Sequence, residues 1–440
     1  MFTTAAPLAQ RIERLIEQTP IVDPHTHLRP DQPSAPDLAS LMSYHWLQSE
    51  LISVGMPKSD LDTALPPDER VRRALPYLPR MRNTAMSWCF HVILRDLFDL
   101  ADPLLCESNA SEIISRVAAA CSNPQWPAHV LRERCHIQAV VTSSGNAATA
   151  PRDLGVDVYH MLDAHYLFCP GVATDLTPHF AGRTQKTEYV DALKSILGDL
   201  PANASLLRTA LFDWLEKTVR GRVRFSNTFI PIEQRFHPPE SSAVDRVLAT
   251  AGRGKTLSDE DINTLVIFVS WHVLAWHHEH GKAFQIAVGA EYFICDGKSI
   301  PRFDPTWTSQ MAPVFHTFSN ARFDLMMAAE PLMQEMCVLA RQFPNIYLSG
   351  YWWHSFFPAL IEKAITLRLQ IAPMTKLTAF LCDAYYCEWT YGKYRLVKKC
   401  LASALAGLVE SRFIDEDLLP DLLHQILNDS PRSLYDLHDA

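Results

Sequence analysis

The sequence predicts an α/β protein built as a (β/α)8 barrel, or TIM barrel, with a helical insertion after the first strand. Apolar, β-branched runs alternate with long amphipathic stretches, which is typical of parallel strands joined by helices. Eight such runs are present, the number that this barrel requires. A chain of 440 residues with 48% hydrophobic residues also has the size of a large barrel that carries insertions.

The predicted strands follow one another along the whole chain. They cover residues 21–27, 136–142, 166–173, 223–230, 283–289, 313–318, 346–351 and 377–382. Each run is apolar, and helical stretches or turn residues separate it from the next one. The fourth run has the weakest pattern of the eight.

The connection between the first two strands is much longer than an ordinary crossover, which spans about a dozen residues. Residues 38–51, 69–75 and 83–100 carry helical periodicity there. We therefore predict a helical insertion over about residues 38–130, above the carboxyl-terminal face where such barrels build their active sites. A further helical enlargement is predicted over about residues 185–280. We expect a single domain over residues 1–440, with no independent domain among the insertions.

Composition narrows the choice of partner and compartment. A formal net charge of −9, without a concentrated run of Lys or Arg, argues against nucleic acid. No apolar run is long enough to cross a bilayer, so we expect no membrane partner. The ten cysteines are scattered and mostly lie in apolar surroundings, which indicates reduced thiols in the cytoplasm. We therefore expect a cytoplasmic protein that binds a small molecule; assembly into a homo-oligomer stays open.

The two ends of the predicted barrel indicate a metal site. His25 and His27 end the first strand two residues apart, so both side chains point to the same face. Asp383 follows the last strand, which neighbours the first one in a closed barrel. Two imidazoles and a carboxylate suit a divalent metal ion, and we expect zinc, with manganese or iron as alternatives. Ordinary polar residues at a strand end and a helix-capping aspartate are the alternative interpretation.

Two further histidines are candidates for catalysis. His316 ends the sixth predicted strand, where it could complete the metal sphere or act as a general acid or base. A hydrogen-bonded core histidine is the alternative there. His45 lies on the inserted helix that could cover the site, although an exposed or capping histidine would fit the same position.

Two other side chains are candidates for substrate binding. Arg29 comes two residues after His27, and a guanidinium binds a carboxylate through two hydrogen bonds. An ordinary surface arginine is equally compatible with this position. Trp352 belongs to an aromatic run after the seventh strand and could form a platform for a sugar ring, although core packing is the default role.

Several other kinds of catalytic site are excluded by the motifs. The sequence contains no Gly-rich phosphate-binding loop and no Gly-x-Ser-x-Gly elbow. It also lacks the His-Glu-x-x-His pattern of helical zinc sites.

Five segments together resemble the metal-dependent amidohydrolase superfamily and, within it, the uronate (glucuronate) isomerase branch. The segments are PIVDPHTHL at 20–28, DLASLMSYHW at 37–46, FPNIYLSG at 343–350, LTAFLCDAYY at 377–386 and ILNDSPRSLYDL at 426–437. The resemblance implies a metal-dependent hydrolase-type barrel in which His25 and His27 bind the metal. It also implies that Asp383 binds the metal and acts in catalysis, and that His45 contacts the substrate.

The chain departs from this family where the substrate would be recognised. Ala287 stands where the fifth strand of the family usually offers a histidine. Uronate isomerases carry an arginine shortly after the final aspartate, whereas this chain has Ala384 and Tyr385 there. Arg29, Arg322 and Tyr385 are the candidates to bind a substrate carboxylate in place of the missing arginine.

These observations favour an isomerase that interconverts aldose-type and ketose-type sugar acids. Asp383 or a metal-bound hydroxide would move the proton between carbon atoms, and His45 or His316 would assist at the substrate oxygen. Two alternatives stay open: a metal-dependent hydrolase of an ester, lactone or amide, and a barrel that binds a metabolite without turnover. Isomerisation introduces solvent hydrogen beside the carbonyl, hydrolysis introduces solvent oxygen, and binding alone introduces neither.

Overall fold

A computed structural model describes residues 6–101, 104–143, 153–168, 187–232, 234–291 and 299–438. Eight strands form one sheet in the order β1-β2-β3-β4-β5-β8-β9-β10, and the pairs β1–β2, β3–β4, β4–β5, β5–β8, β8–β9 and β9–β10 are parallel. This architecture confirms the predicted (β/α)8 fold class. The strands are β1 Ile21–Thr26, β2 Ile137–Ser143, β3 Asp157–Asp163, β4 Val223–Ile230, β5 Ala283–Val288, β6 Ala290–Glu291, β7 Ile300–Pro301, β8 Arg322–Met327, β9 Ile346–Ser349 and β10 Leu377–Thr378.

Helices fill the connections between these strands. Their bounds are α1 Ala6–Gln18, α2 Leu38–Met42, α3 His45–Ser53, α4 Pro67–Ala74, α5 Ala85–Phe98, α6 Ala110–Ser122, α7 Trp126–Ala128, α8 His165–Phe168, α9 Thr187–Leu197, α10 Ala204–Thr218, α11 Ser241–Gly252, α12 Asp259–His280, α13 Trp307–Thr317, α14 Met333–Gln342, α15 Pro358–Ile371, α16 Cys387–Glu410, α17 Leu419–His424 and α18 Ser430–Leu434. Helices α2 to α7 lie between β1 and β2, where the first insertion is predicted. Helices α9 to α12 lie in the region of the second enlargement, with β4 between α10 and α11.

Two of the eight strand predictions are wrong in position. The third strand is β3, not residues 166–173: α8 covers the start of that range, and residues 169–173 lie outside the described part of the chain. The sixth strand is β8, and the predicted range 313–318 lies largely on α13. The buried residues of α13 include Met311, Val314 and Phe315, which are three positions and one position apart, as on one face of a helix. A short apolar run such as this one does not distinguish a strand from a buried helix.

The described residues form two compact units. The first comprises residues 1–158, 356–363 and 380–428, and the second comprises residues 159–355, 364–379 and 429–440. The prediction of a single domain over residues 1–440 stays a prediction.

The first unit is organised around α16, whose 24 residues are mostly buried against α1 and α5. Gly392 allows this close packing, because a Cβ atom there would lie 2.9 Å from Ile93 Cδ1 and 3.2 Å from the carbonyl oxygen of Cys89. A side chain at position 392 would therefore push α16 away from α5.

The interior of the second unit contains a polar network. Gln285 on β5 donates to Asp324 Oδ2 on β8 at 2.9 Å and to the Tyr435 hydroxyl at 2.7 Å. Tyr435, which follows α18, donates its own hydroxyl to Asp324. All three side chains are fully buried, and this burial raises the pKa of the Asp324 carboxyl even though the hydrogen bonds lower it.

No helix within the described ranges is long and apolar enough to cross a membrane. The eight cysteines in these ranges are free thiols, and all except the partly exposed Cys106 are buried.

We predict that Tyr435→Phe lowers the free energy of unfolding by about 1–3 kcal/mol, because it removes a buried hydroxyl that donates to Asp324 and accepts from Gln285. Chemical denaturation followed by circular dichroism measures the change. Tyr347→Phe on β9 is the matched control and should change the free energy by at most about 0.5 kcal/mol. Equal stability of the two variants would contradict a stabilising role for the network.

Candidate active site

His25 and His27 lie at the end of β1, in the first unit. Strand β1 is buried along its whole length and pairs with β2, with Thr26 opposite Thr142. Ser143, at the end of β2, lies 3.2 Å from His27 Nδ1 through its Oγ. This contact fixes the imidazole ring, so that Nε2 of His27 points toward Asp383.

Asp383 lies in the turn after β10. Its backbone N–H donates to the His25 carbonyl at 2.9 Å, and the Ala384 carbonyl accepts from His27 N at 2.9 Å and from Thr26 Oγ1 at 3.0 Å. The turn is thus hydrogen-bonded to the end of β1. As a result, Asp383 Oδ1 lies 3.5 Å from His25 Nε2 and 3.1 Å from His27 Nε2.

A second buried carboxylate supports this arrangement. Asp23 Oδ1 accepts hydrogen bonds from Cys382 N at 3.1 Å and from His25 N at 3.4 Å. Burial raises the pKa of the Asp23 carboxyl to about 6, against the lowering effect of these hydrogen bonds. Asp23 therefore joins β1 to the segment after β10 immediately beside the candidate ligands.

The three side chains fit a divalent metal ion. One ligand atom each from His25, His27 and Asp383 lies within 4.8 Å of the others. Ligand atoms that share a tetrahedral zinc, each about 2.0–2.1 Å from the ion, are about 3.3 Å apart, close to the separations between Asp383 and the two imidazoles. The donor set of two nitrogens and one oxygen leaves room for further oxygen ligands. This cluster, predicted from the sequence, is suited to a divalent metal.

The charge of Asp383 is maintained by its neighbours. Burial alone would raise the pKa of its carboxyl, but hydrogen bonds from His25 and His27 and the charge of Lys393 hold that pKa well below its usual range. The carboxyl group is therefore ionised at neutral pH, as a metal ligand or a base must be.

His45 and Tyr385 lie on the same side of this cluster. His45 is the first residue of α3, and its ring centroid is 5.6 Å from that of Tyr385. The Tyr385 ring stacks on His27 at 5.2 Å with an interplanar angle of 20°. Burial lowers the pKa of His45 to about 3, so its imidazole is neutral at physiological pH. The structure thus brings His45 and Tyr385 together with the predicted ligands.

Two residues at this site were not found from the sequence. Tyr44 donates its hydroxyl to the Asp383 carbonyl at 3.2 Å. Lys393, fully buried on α16, donates to the same carbonyl at 3.2 Å. Neither has a sequence signal of its own: Tyr44 is one aromatic residue in an aromatic stretch, and Lys393 interrupts an otherwise apolar helix face.

Arg29 and Trp352 occupy different environments. Arg29 is exposed and binds Asp31 through two hydrogen bonds, with Nη2 to Oδ2 at 2.8 Å. Trp352 lies in the second unit after β9, where its ring is buried and its backbone N–H donates to Ser355 Oγ at 3.0 Å. Their predicted roles in substrate binding stay predictions.

From the sequence, His316 is expected at the end of the sixth strand, and Arg322 is a candidate to bind a substrate carboxylate. His316 is exposed on α13, because the predicted sixth strand is a helix. Arg322 is the first residue of β8, so it lies at the amino end of that strand. There its Nη2 forms an ion pair with Asp436 at 2.7 Å, and this structural interaction accounts for the arginine.

Comparisons with known proteins support the resemblance. No protein-family model matches the chain. The chain is 22% identical to the uronate isomerase of Brucella melitensis, in an alignment that covers 98% of this chain and 96% of the relative. This full-length similarity confirms the resemblance to uronate isomerases that the five sequence segments indicate.

Solved structures confirm the barrel fold. The uronate isomerase of Thermotoga maritima has a TM-score of 0.83 at 17% identity and covers 99% of this chain and 100% of its own. The glucuronate isomerase of Caulobacter crescentus has the same TM-score at 16% identity, with coverage of 100% and 96%. A candidate metal-dependent hydrolase from Lactobacillus casei is less similar, with a TM-score of 0.59 at 14% identity and 97% coverage of both chains.

We predict that His25→Ala lowers the bound metal content of the purified protein from about one ion per chain to a small fraction, because one of three protein ligands is lost. Elemental analysis after dialysis against zinc measures this content. His316→Ala is the matched control and should keep the wild-type content, since this side chain is exposed on α13. Full metal content in the His25 variant would rule out the proposed ligand set.

Proposed function

We propose that this protein is a metal-dependent isomerase that interconverts aldose-type and ketose-type sugar acids. The observation that carries the proposal is the cluster of His25, His27 and Asp383 on a chain that is similar to uronate isomerases over its full length. The binding partner of the protein is accordingly a small-molecule substrate, a sugar acid. The free thiols of the described cysteines support a cytoplasmic location.

The metal would be held by His25, His27 and Asp383, and we propose that it is zinc. When bound, a divalent ion would polarise the substrate carbonyl or the adjacent hydroxyl and so acidify the neighbouring C–H bond. The ligands suit this task because the carboxylate is ionised and imidazole binds zinc in its neutral form.

The chemical step is a proton transfer between two carbon atoms. Asp383 would take the proton from C2 of the aldose and return it to C1, which yields the ketose without net gain or loss of a proton. Neutral His45 would move the second proton, between the oxygen atoms on C1 and C2, because a neutral imidazole both donates and accepts.

The aromatic side chains beside the ligands would exclude water from this step. Tyr385 stacks on His27 and lies edge-on to His45, and Tyr44 lies 4.6 Å from His45 between ring centroids. Excluding water protects the reaction intermediate and strengthens the electrostatic interactions at the site. Tyr385 would also contact the substrate through its ring edge or hydroxyl.

Recognition of the acid group would involve Arg29. Its Nε and Nη2 atoms donate to Asp31, which orients the guanidinium and leaves Nη1 to bind a substrate carboxylate. Trp352 is kept as a candidate platform for the sugar ring. His316 and Arg322 are left out of the proposal, because the structure accounts for the first as an exposed helix residue and for the second as the partner of Asp436.

We predict that zinc-supplemented wild-type protein, incubated with D-glucuronate in heavy water, loses the C2 proton signal and forms a ketose. Asp383→Asn should slow this exchange by a factor of about 100 or more, because it removes the base. Proton NMR follows both signals. Asp60→Asn, in the exposed pair with Arg73, is the control and should react like wild type.

No exchange and no ketose in wild-type protein with confirmed zinc would contradict the uronate assignment. Incorporation of solvent oxygen from labelled water into the product of an ester, lactone or amide would then favour the hydrolase alternative. Thermal stabilisation by D-glucuronate without either exchange would favour a binding function.

We predict that Arg29→Ala raises the KM for D-glucuronate by about 10-fold or more, because a charge-assisted hydrogen bond to the carboxylate is lost. The kcat value should change much less, since Arg29 does not contact the reacting carbons. Steady-state kinetics separates the two constants. The control is Arg73→Ala, another exposed and ion-paired arginine, for which an unchanged KM is expected.

A further inference from the structure

The buried ammonium group of Lys393 is not explained by the packing of α16. Its Nζ lies 4.2 Å from the centre of the Trp46 ring, 5.0 Å from that of Phe356 and 5.1 Å from that of Tyr44. Burying a charge in such surroundings is costly unless it is compensated, and an apolar side chain would pack there at lower cost. The presence of a lysine therefore calls for a specific interaction.

The neighbouring buried lysine on the same helix shows the usual solution. Lys398 is 3% exposed and pairs with the carboxylate of Glu17, with Glu13 4.0 Å away. Lys393 differs, because its hydrogen bond runs to a backbone carbonyl, that of Asp383. Side chains on a helix lean toward its amino end, so Lys393 reaches back from the second turn of α16 to the turn that precedes the helix.

The backbone at that turn is strained. Asp383 has a φ of 49°, in the left-handed region that residues other than glycine adopt at a cost of about 1–2 kcal/mol. Three hydrogen bonds hold it there: its N–H donates to the His25 carbonyl, and its own carbonyl accepts from Tyr44 and Lys393. The direction of the carboxylate depends on this conformation, since the side chain leaves the backbone at the same residue.

We propose that Lys393 is a positioning residue for the metal centre: its ammonium holds the Asp383 carbonyl so that the carboxylate of Asp383 faces His25 and His27. The charge contributes as well, because it stabilises the ionised carboxylate nearby. The aromatic rings of Trp46, Phe356 and Tyr44 keep the ammonium in place through cation–π contacts and shield it from water. Lys393 itself touches neither the substrate nor the metal.

The test is a titration of the metal-free full-length protein with Co2+, followed by visible absorption. Cobalt reports both its affinity and the geometry of its ligands, independently of turnover. Lys393→Met keeps the length of the side chain and removes the ammonium, and we expect a Co2+ affinity about 10- to 100-fold lower than wild type with an altered spectrum. With D-glucuronate and saturating metal, kcat should fall while KM stays unchanged.

Lys398→Met is the matched control, because it removes an equally buried ammonium from the same helix but from a different partner. It should lower thermal stability while leaving the Co2+ affinity and spectrum as in wild type. Wild-type affinity and spectrum in folded Lys393→Met would overturn the proposal. Equal weakening in both lysine variants would also overturn it, because a general loss of stability would then explain the effect.

The proposal rests on the metal centre proposed above, and the wild-type titration tests that premise separately. Wild-type protein that fails to bind Co2+ would refute the metal centre itself, whereas a difference confined to the variants concerns Lys393. If Lys393→Met does not fold, Tyr44→Phe removes the other donor to the Asp383 carbonyl and keeps the ring. An unchanged Co2+ affinity in that variant would overturn the anchoring of this carbonyl, on which the role of Lys393 depends.

Discussion

The hydrogen bonds between the end of β1 and the turn after β10 determine the candidate site. Asp383 bonds to His25, Ala384 bonds to His27, and Asp23 bonds to the N–H of Cys382. Each such bond contributes about 1 kcal/mol to stability, but their effect on geometry is larger. The same segments carry all three candidate ligands. The hydrogen bonds that join residues 382–384 to the end of β1 therefore also bring the three candidate ligands together.

This arrangement concentrates charged groups in a nearly dry environment. Ionised Asp383 is offset by Lys393 on one side and faces two imidazoles on the other, while burial raises the pKa of Asp23 to about 6. Tyr44 and other aromatic rings surround these groups, so their interactions are weakly screened. The hydrogen bonds that Asp23 accepts from Cys382 and His25 hold the backbone beside the candidate ligands.

The fold class and the cluster of His25, His27 and Asp383 could be predicted from the sequence because their signals are local. His25 and His27 stand at the end of an apolar strand, where side-chain alternation points them to one face, and Asp383 follows an apolar run. Lys393 was missed because its partners, such as Tyr44 and Phe356, are remote in the sequence and lack a spacing rule. The third and sixth strands were misplaced because a short apolar run does not distinguish a strand from a buried helix face. Local patterns therefore predicted this cluster, whereas the long-range contacts of Lys393 had no local signal.

In the proposed function, substrate recognition and chemistry belong to different residues. The resemblance places Ala384 and Tyr385 where uronate isomerases carry an arginine, and the Tyr385 ring stacks on His27. Lys393 is sealed beneath aromatic rings and bonded to a backbone carbonyl, which removes it from contact with a ligand. Arg29 is exposed and its guanidinium is oriented by Asp31, so it stays the proposed contact for the acid group. Because Arg29 follows the ligand strand by only two residues, the distance between the acid group and the reacting carbons would be set by β1 itself. A substrate whose carboxylate sits at a different distance from its carbonyl would then be bound without being aligned for proton transfer.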